Sequence, residues 1–261
     1  IAKMIQPFIL RRDKKTVLAD LPEKIENNMY SVLTEEQKTV YLAYLKQMQA
    51  DVSQMDQATF KKNRMSILAG LTRLRQICCD PRLFIEDYTG GSGKVEQVKD
   101  FLVAAKENNR RVLLFSQFTS MLSILEKELN ELGLETFYLR GSTKPQDRLT
   151  MANAFNEGEK DVFLISLKAG GTGLNLTSSD IVIHFDPWYN PGIHDQASDR
   201  THRIGQKSVV NIYKLIAKDT IEETIYLMQE DKKNLISEVL ENNDITDNDV
   251  LNRLSNEQII N

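Results

Sequence analysis

Val162-Phe163-Leu164-Ile165-Ser166-Leu167-Lys168-Ala169-Gly170-Gly171-Thr172-Gly173-Leu174-Asn175 decides how this chain folds. Its first four residues form an unbroken apolar run, the pattern of a strand buried on both faces rather than one alternating between core and water. The run gives way at once to a loop with three glycines in four residues, where the missing Cβ lets backbone approach a ligand closely. Alone, such a loop is equally a tight turn or part of a dinucleotide site, although the GxGxxG spacing of the latter is absent.

Outward from this stretch the pattern repeats. Apolar runs at Val112 to Phe115, Thr136 to Leu139, Ile181 to Phe185 and Val209 to Ile216 read as further buried strands. Most are separated by helical periodicities: Phe118, Met121, Leu122, Leu125, Leu129 and Leu132 share one, and Leu149, Ala152 and Phe155 share another after Pro145. Strands alternating with helices predict an α/β fold, a parallel sheet covered by helices on both faces, with ligands bound beyond the strand carboxyl ends. Ser116-Gln117-Phe118 and Arg140-Gly141-Ser142 occupy such ends, and their small polar residues and amides suit phosphates, although isolated tripeptides of this kind are ordinary turns. Trp188, the only tryptophan, follows another strand within Phe185-Asp186-Pro187-Trp188-Tyr189-Asn190-Pro191. It either stacks on bases in an exposed cleft or packs in the core.

Asn190 is a good N-cap, Pro191 fits a first helical position and Gly205 suits a left-handed stop, so a helix is predicted over 191–204. On it Gln196, Arg200 and Arg203 share one stripe, with Ile193, Ala197 and Ile204 on the neighbouring apolar one. One stripe anchors the helix, and the other presents fixed positive charge to a nucleotide phosphate; the plainer alternative is a surface helix with solvated arginines. Residues 1–89 read as a helical region. Thr34-Glu35-Glu36-Gln37 is a capping box before Val40, Tyr41, Tyr44, Leu45, Met48, Val52 and Met55, and a second helix carries Ile67, Leu68, Leu71, Leu74 and Ile77 up to Asp80-Pro81. A last helix opens near Asp219 with Ile221, Ile225 and Met228 on its apolar stripe. The expected organisation is a helical segment over 1–89, an α/β lobe over 90–229, and a C-terminal helix with an acidic tail over 230–261.

Gln196-Ala197-Ser198-Asp199-Arg200-Thr201-His202-Arg203-Ile204-Gly205-Gln206 resembles the last helicase motif of the Swi/Snf family of ATP-dependent double-stranded DNA translocases, in helicase superfamily two. The loop over 166–175 is similar to that family's, almost verbatim. Leu74-Arg75-Gln76-Ile77-Cys78-Cys79-Asp80-Pro81 resembles its LRxxCxxP segment, and Pro7-Phe8-Ile9-Leu10-Arg11-Arg12 with Leu21-Pro22-Glu23-Lys24 resembles the stretch joining its two motor lobes. The resemblance implies a RecA-like C-terminal lobe preceded by an inter-lobe segment with protruding helices. It implies that Arg200 and Arg203, with Gln196 on the same motif, serve the triphosphate as fingers, and that Gly171 and Gly173 lie near the inter-lobe cleft. It places Ser116, Gln117, Arg140, Gly141, Ser142, Ser166 and Lys168 on the backbone of a tracking DNA strand, with Trp188 beside its path. ATP and Mg are then held mainly by a first lobe. Gly90-Gly91-Ser92-Gly93-Lys94-Val95 is not a phosphate loop, since Tyr88 and Val95 stand where glycine and Ser or Thr are needed, and no DExH box occurs. This chain alone is therefore expected to be inactive in ATP hydrolysis. The partners implied are double-stranded DNA, the N-terminal RecA-like lobe of the same protein and a DNA-bound protein target. Two other readings stay open: a strand-separating superfamily-two DNA or RNA helicase lobe, and a non-catalytic nucleotide-binding scaffold.

The 261 residues are 41% hydrophobic, enough for a sizeable core, and no long apolar run or signal peptide is present. Net charge is −4, but residues 230–261 carry eight acidic and three basic side chains, a balance of −5 that leaves the remainder near +1. Charge alone thus gives no support for nucleic acid. The two cysteines are adjacent, and His184, His194 and His202 have no metal spacing, so no metal site is expected. Reduced thiols point to the cytoplasm, a bacterial or archaeal nucleoid, or a nucleus, and no membrane partner is implied. The chain opens at Ile1 within an established segment and is expected to be a fragment of a longer protein.

Overall fold

The computed structural model describes residues 21–169 and 173–238. Six parallel strands form one sheet: β1 (Lys24–Ser31), β2 (Val112–Ser116), β3 (Thr136–Leu139), β4 (Val162–Ser166), β5 (Ile181–His184) and β6 (Val210–Ala217), in spatial order β1-β6-β5-β2-β4-β3. Both faces are covered. Val112, Leu114, Val162, Leu164, Ile181 and Ile183 face a core shared with α4 (Gly93–Glu107) and α5 (Thr119–Glu131). Their strand neighbours Leu113, Phe115, Phe163, Ile165 and Val182 point the other way, toward α6 (Pro145–Glu157) and α7 (Pro191–Ser198). Alternate residues entering opposite cores is why these strands read as continuous apolar runs. The predicted α/β sheet covered on both faces is the observed, RecA-like, architecture.

A third cluster joins α1 (Glu35–Ser53), α3 (Arg64–Cys79) and α8 (Ile221–Glu238), with the short α2 (Gln57–Lys62) between the first two. Tyr41, Met48 and Val52 of α1 meet Ile67, Leu71 and Leu74 of α3. The capping box is formed: the Gln37 amide donates to Thr34 Oγ1 at 3.1 Å and the Thr34 amide to Gln37 Oε1 at 3.3 Å. Gln37 Nε2 also donates to the Ile77 carbonyl at 2.7 Å, and its Oε1 accepts from the Gly93 amide at 3.2 Å. One cap therefore ties together the start of α1, the end of α3 and the start of α4. Helix α8 lies against both α3 and β6, and Ile225 is its buried anchor.

Three expectations change. Residues 24–31, read as part of a helical region, form β1 and pair along their whole length with β6. The helix predicted over 191–204 stops at Ser198, although Asn190 caps it as expected by accepting from the Gly192 amide at 3.0 Å. Beyond Ser198 the chain makes tight turns: the Arg200 carbonyl is taken by the Leu176 amide at 3.0 Å, and the Thr201 and Arg203 amides bond back to the Ser198 and Thr201 carbonyls at 3.1 and 3.0 Å. Gly205 does adopt the left-handed conformation, at φ 104°, but it ends these turns rather than a helix. Ile204, placed on the anchoring stripe, is 74% exposed. Pro7–Arg12, Gly171 and the acidic stretch from Glu241 lie outside the described residues.

Candidate nucleotide and nucleic-acid site

The register aligns the strand ends that carry the candidate residues. Leu139 pairs with Ile165, and Ser116 with Ser166, while the Phe185 amide extends the ladder to the Phe115 carbonyl at 2.9 Å. The turns after β3, β4, β2 and β5 consequently emerge side by side at one edge of the sheet, spaced by about 4.8 Å per strand. Arg140, Gly141 and Ser142 are exposed at one end of the row, followed by exposed Lys168, half-buried Gln117 and half-buried Trp188. The chain visits these strands out of spatial order, crossing β2 between β4 and β5, which makes this the switch-point edge where open α/β sheets bind ligands.

Two of the predicted contact residues are turned inward. Ser116 is buried and its hydroxyl donates to Asp186 Oδ1, while its oxygen accepts from the Phe118 amide at 3.1 Å. Ser166 is buried as well, and its Oγ accepts from the Ala169 amide at 3.2 Å. Both hydroxyls shape their turns and leave the outward surface to Gln117 and Lys168. Arg140 stacks on Tyr138, 4.4 Å from the ring centroid, and pairs with Glu126 at 3.2 Å, so its guanidinium is held at the surface.

The glutamine and two arginines do not share a helical stripe. Gln196 is exposed on α7, whereas Arg200 and Arg203 sit in the turns that follow it. These turns pack on the glycine loop: Arg203 Nη1 donates to the Gly173 carbonyl at 3.3 Å and its Nε to the Asp199 carbonyl at 2.9 Å. Arg200 is only 7% exposed, and its Nε has no hydrogen-bond partner among the described residues. Burial, with neighbouring Arg203 adding repulsion, pulls the Arg200 guanidinium below the usual arginine range. A buried cationic donor without a partner is costly, and the same holds for the Nε of Arg75.

Beneath the row lies a set of buried ions that spacing did not announce. Lys94 is fully buried, pairs with Glu222 Oε2 at 2.5 Å and donates to the carbonyls of Phe185 at 2.8 Å and Leu215 at 3.2 Å. Burial works against its charge, but the Glu222 carboxylate prevails and holds the ammonium above the ordinary lysine range. The lysine of Gly90-Gly91-Ser92-Gly93-Lys94 is thus a structural strut. The glycine before it is required by crowding, since a Cβ on Gly93 would collide with the Val32 carbonyl. Burial raises Asp186, against the pull of Arg75 at 3.8 Å. Among the described residues no group of three or more His, Cys, Asp or Glu could hold a metal ion, and no helix is long and apolar enough to cross a membrane.

Residues 1–83 match the SNF2-related domain and residues 93–205 the helicase conserved C-terminal domain. A Mycoplasma pneumoniae protein described as an uncharacterized ATP-dependent helicase is 37% identical over 97% of this chain and 24% of its own length. The Sulfolobus solfataricus SWI2/SNF2 ATPase core in complex with double-stranded DNA superposes with a TM-score of 0.71 at 33% identity, covering 92% of this chain and 51% of that one. The C-terminal domain of the same enzyme gives 0.72 at 28% identity, covering 91% and 96%. The chain spans about a quarter of the length of the curated relatives it matches.

Proposed function

This chain belongs to the Swi/Snf (SNF2-related) family of ATP-dependent helicases and translocases, as the C-terminal RecA-like lobe with its inter-lobe segment, and from that premise we propose that it is the second motor lobe of a double-stranded DNA translocase. The observation that carries this reading is the buried Arg200, whose Nε has no partner among the described residues, beside Arg203, with the latter bonded to the glycine loop whose strand also ends in the edge row. When bound, ATP supplies the transferring phosphoryl group, whose charge a planar and permanently protonated guanidinium is suited to stabilise. Arg200 and Arg203 act as fingers toward it, Gln196 faces the same cleft from α7, and Gly171 and Gly173 let the loop approach. The P-loop, the acidic box and Mg belong to a first lobe elsewhere in the full-length protein, so this chain alone hydrolyses no ATP. Lys168, Arg140, Ser142, Gln117 and the backbone amides of the row, Gly141 included, grip the phosphates of one strand without reading its sequence. The inward-turned Ser116 and Ser166 set the shape of the turns that do so, and Trp188 stands beside the strand's path. Closure of the lobes around the γ-phosphate, followed by reopening, alternates the grip and advances the motor past a DNA-bound protein.

The test is steady-state ATP hydrolysis by the full-length protein without nucleic acid, then with duplex DNA, single-stranded DNA or RNA, beside an Arg203→Ala variant. The expected result is stimulation chiefly by duplex, lost in the variant. Stimulation by single strands or RNA alone would move the protein to a strand-separating helicase, and no hydrolysis under any condition would leave a scaffold.

A further inference from the structure

Helix α3 carries a cation where its spacing calls for a hydrocarbon. Arg75 lies four residues after Leu71 and three before Cys78, and all three side chains are buried. A buried guanidinium is costly unless it is paired and hydrogen-bonded, and the partners of this one come from across the fold. Its Nη2 donates to the Pro187 carbonyl at 2.6 Å and faces Asp186 Oδ2 at 3.8 Å. The rings of Tyr189, Trp188 and Phe118 surround it, with centroids 4.7, 5.5 and 5.7 Å from Cζ. Asp186 in turn accepts the Ser116 hydroxyl, and the Gln117 amide approaches its two oxygens at 3.3 and 3.4 Å. Two strand-end turns, 116–118 and 186–189, therefore converge on a single buried ion pair that is anchored from the helical side of the molecule.

We propose that Arg75 and Asp186 are positioning residues for the edge row: the pair fixes Gln117 and Trp188 relative to each other, and through that separation sets the affinity for duplex, while touching neither nucleic acid nor ATP. The proposal rests on the motor reading for its duplex arm. A merely structural ion pair would act on stability alone, and the two roles separate in a double variant. Arg75→Gln strands a buried carboxylate and destabilises; Arg75→Met with Asp186→Leu removes both charges, which is often close to neutral for stability, yet leaves the turns unfixed.

Trp188 is the sole tryptophan of the 261 residues, so its emission in this chain reports the turn directly. In the double variant its emission moves to longer wavelength and acrylamide quenches it more, with a melting temperature near that of the unaltered chain. In the full-length protein the duplex concentration giving half-maximal ATPase rises about tenfold, while the rate at saturating duplex stays within about twofold. Arg75→Lys, which keeps the charge without the planar fork, gives an intermediate rise. A double variant with unaltered emission and half-saturation, or a rise in half-saturation that follows melting temperature across all variants, would overturn the proposal. A full-length protein that duplex does not stimulate, but whose Trp188 still shifts in the variants, would sink the motor reading and uphold the pair as what fixes the turns.

Discussion

The ions beneath the strand-end row are buried, as is Arg200 beyond α7, with Arg203 beside it half-buried, yet the two sets are furnished differently. Lys94 has a carboxylate and two carbonyls within hydrogen-bonding distance. Arg75 has a carbonyl, a carboxylate and three aromatic faces, although its Nε, like that of Arg200, has no hydrogen-bond partner among the described residues. Arg200 has an unpartnered Nε and a second arginine for a neighbour. The first set finds its countercharges within the fold; on the proposed reading the second meets its own on the nucleotide. Burial of charge alone therefore does not mark function; what separates the sets is the neighbouring charge, Glu222 for Lys94 and Asp186 for Arg75 against a second arginine for Arg200.

The sharpest way to break this contrast is to compare what each set costs when removed. Arg200→Ala or Arg203→Ala is expected to lower duplex-stimulated ATP turnover of the full-length protein by roughly 10³-fold or more, the scale of an arginine finger, with little change in unfolding free energy. A loss below tenfold, or a large fall in stability, would erase the distinction. Lys94→Met should do the reverse first: by stranding Glu222 it destabilises by about 3–5 kcal/mol in urea unfolding. Lys94→Met with Glu222→Leu should then recover most of that loss; a double variant as unstable as the single one would show that the pair is not a self-contained strut.

A smaller effect tests another buried base. His184 stacks on His194 with centroids 4.2 Å apart, and its Nε2 contacts Ser198 Oγ at 2.9 Å. Burial, then the neighbouring His194, holds its imidazole well below the ordinary value of 6.5. The unfolded chain takes a proton there as pH falls through 6.5 while the folded chain does not, so stability is present above that pH and drains away below it, by up to about 1.4 kcal/mol per pH unit. Urea titrations at pH 7, 6 and 5 should show a shallower loss in His184→Gln than in the unaltered protein; equal slopes would remove His184 as the cause. The smallest effect belongs to the exposed row. Lys168→Ala should weaken duplex binding evenly across sequences and lower the slope of log K against log salt by about one; a slope unchanged by the substitution would take Lys168 off the phosphate path.

Much of the sheet was legible because β2 to β6 are mainly apolar, and no tertiary knowledge is needed to see that Val112–Phe115 or Val162–Ile165 is buried. β1 escaped notice for the converse reason. Lys24–Ser31 carries mostly polar residues and is largely exposed, having a neighbour on one side only, so no apolar run betrays it. The end of α7 was hidden by a non-local bond, from the Leu176 amide to the Arg200 carbonyl, which periodicity cannot register. That bond moves both arginines off the helix while keeping them beside the glycine loop, so the residues were legible and their geometry was not. Arg75, Lys94 and Asp186 carried only a weak signal that spacing arguments pass over: each is a charge directly beside an apolar residue, Leu74, Val95 and Phe185.

The pairing of β1 with β6 bears on how the protein is made. Among the described residues β1 has β6 as its sole neighbour in the sheet, yet Lys24 leaves the ribosome long before its register partner Val210 exists. Of the six strands described, β1 is therefore synthesised first, and its eight residues wait without their partner until β6 follows. A polar strand suits that wait, since an apolar one held open for the same interval would invite pairing with other nascent chains. The composition that concealed β1 from sequence reading is the composition that keeps it soluble until the last strand arrives.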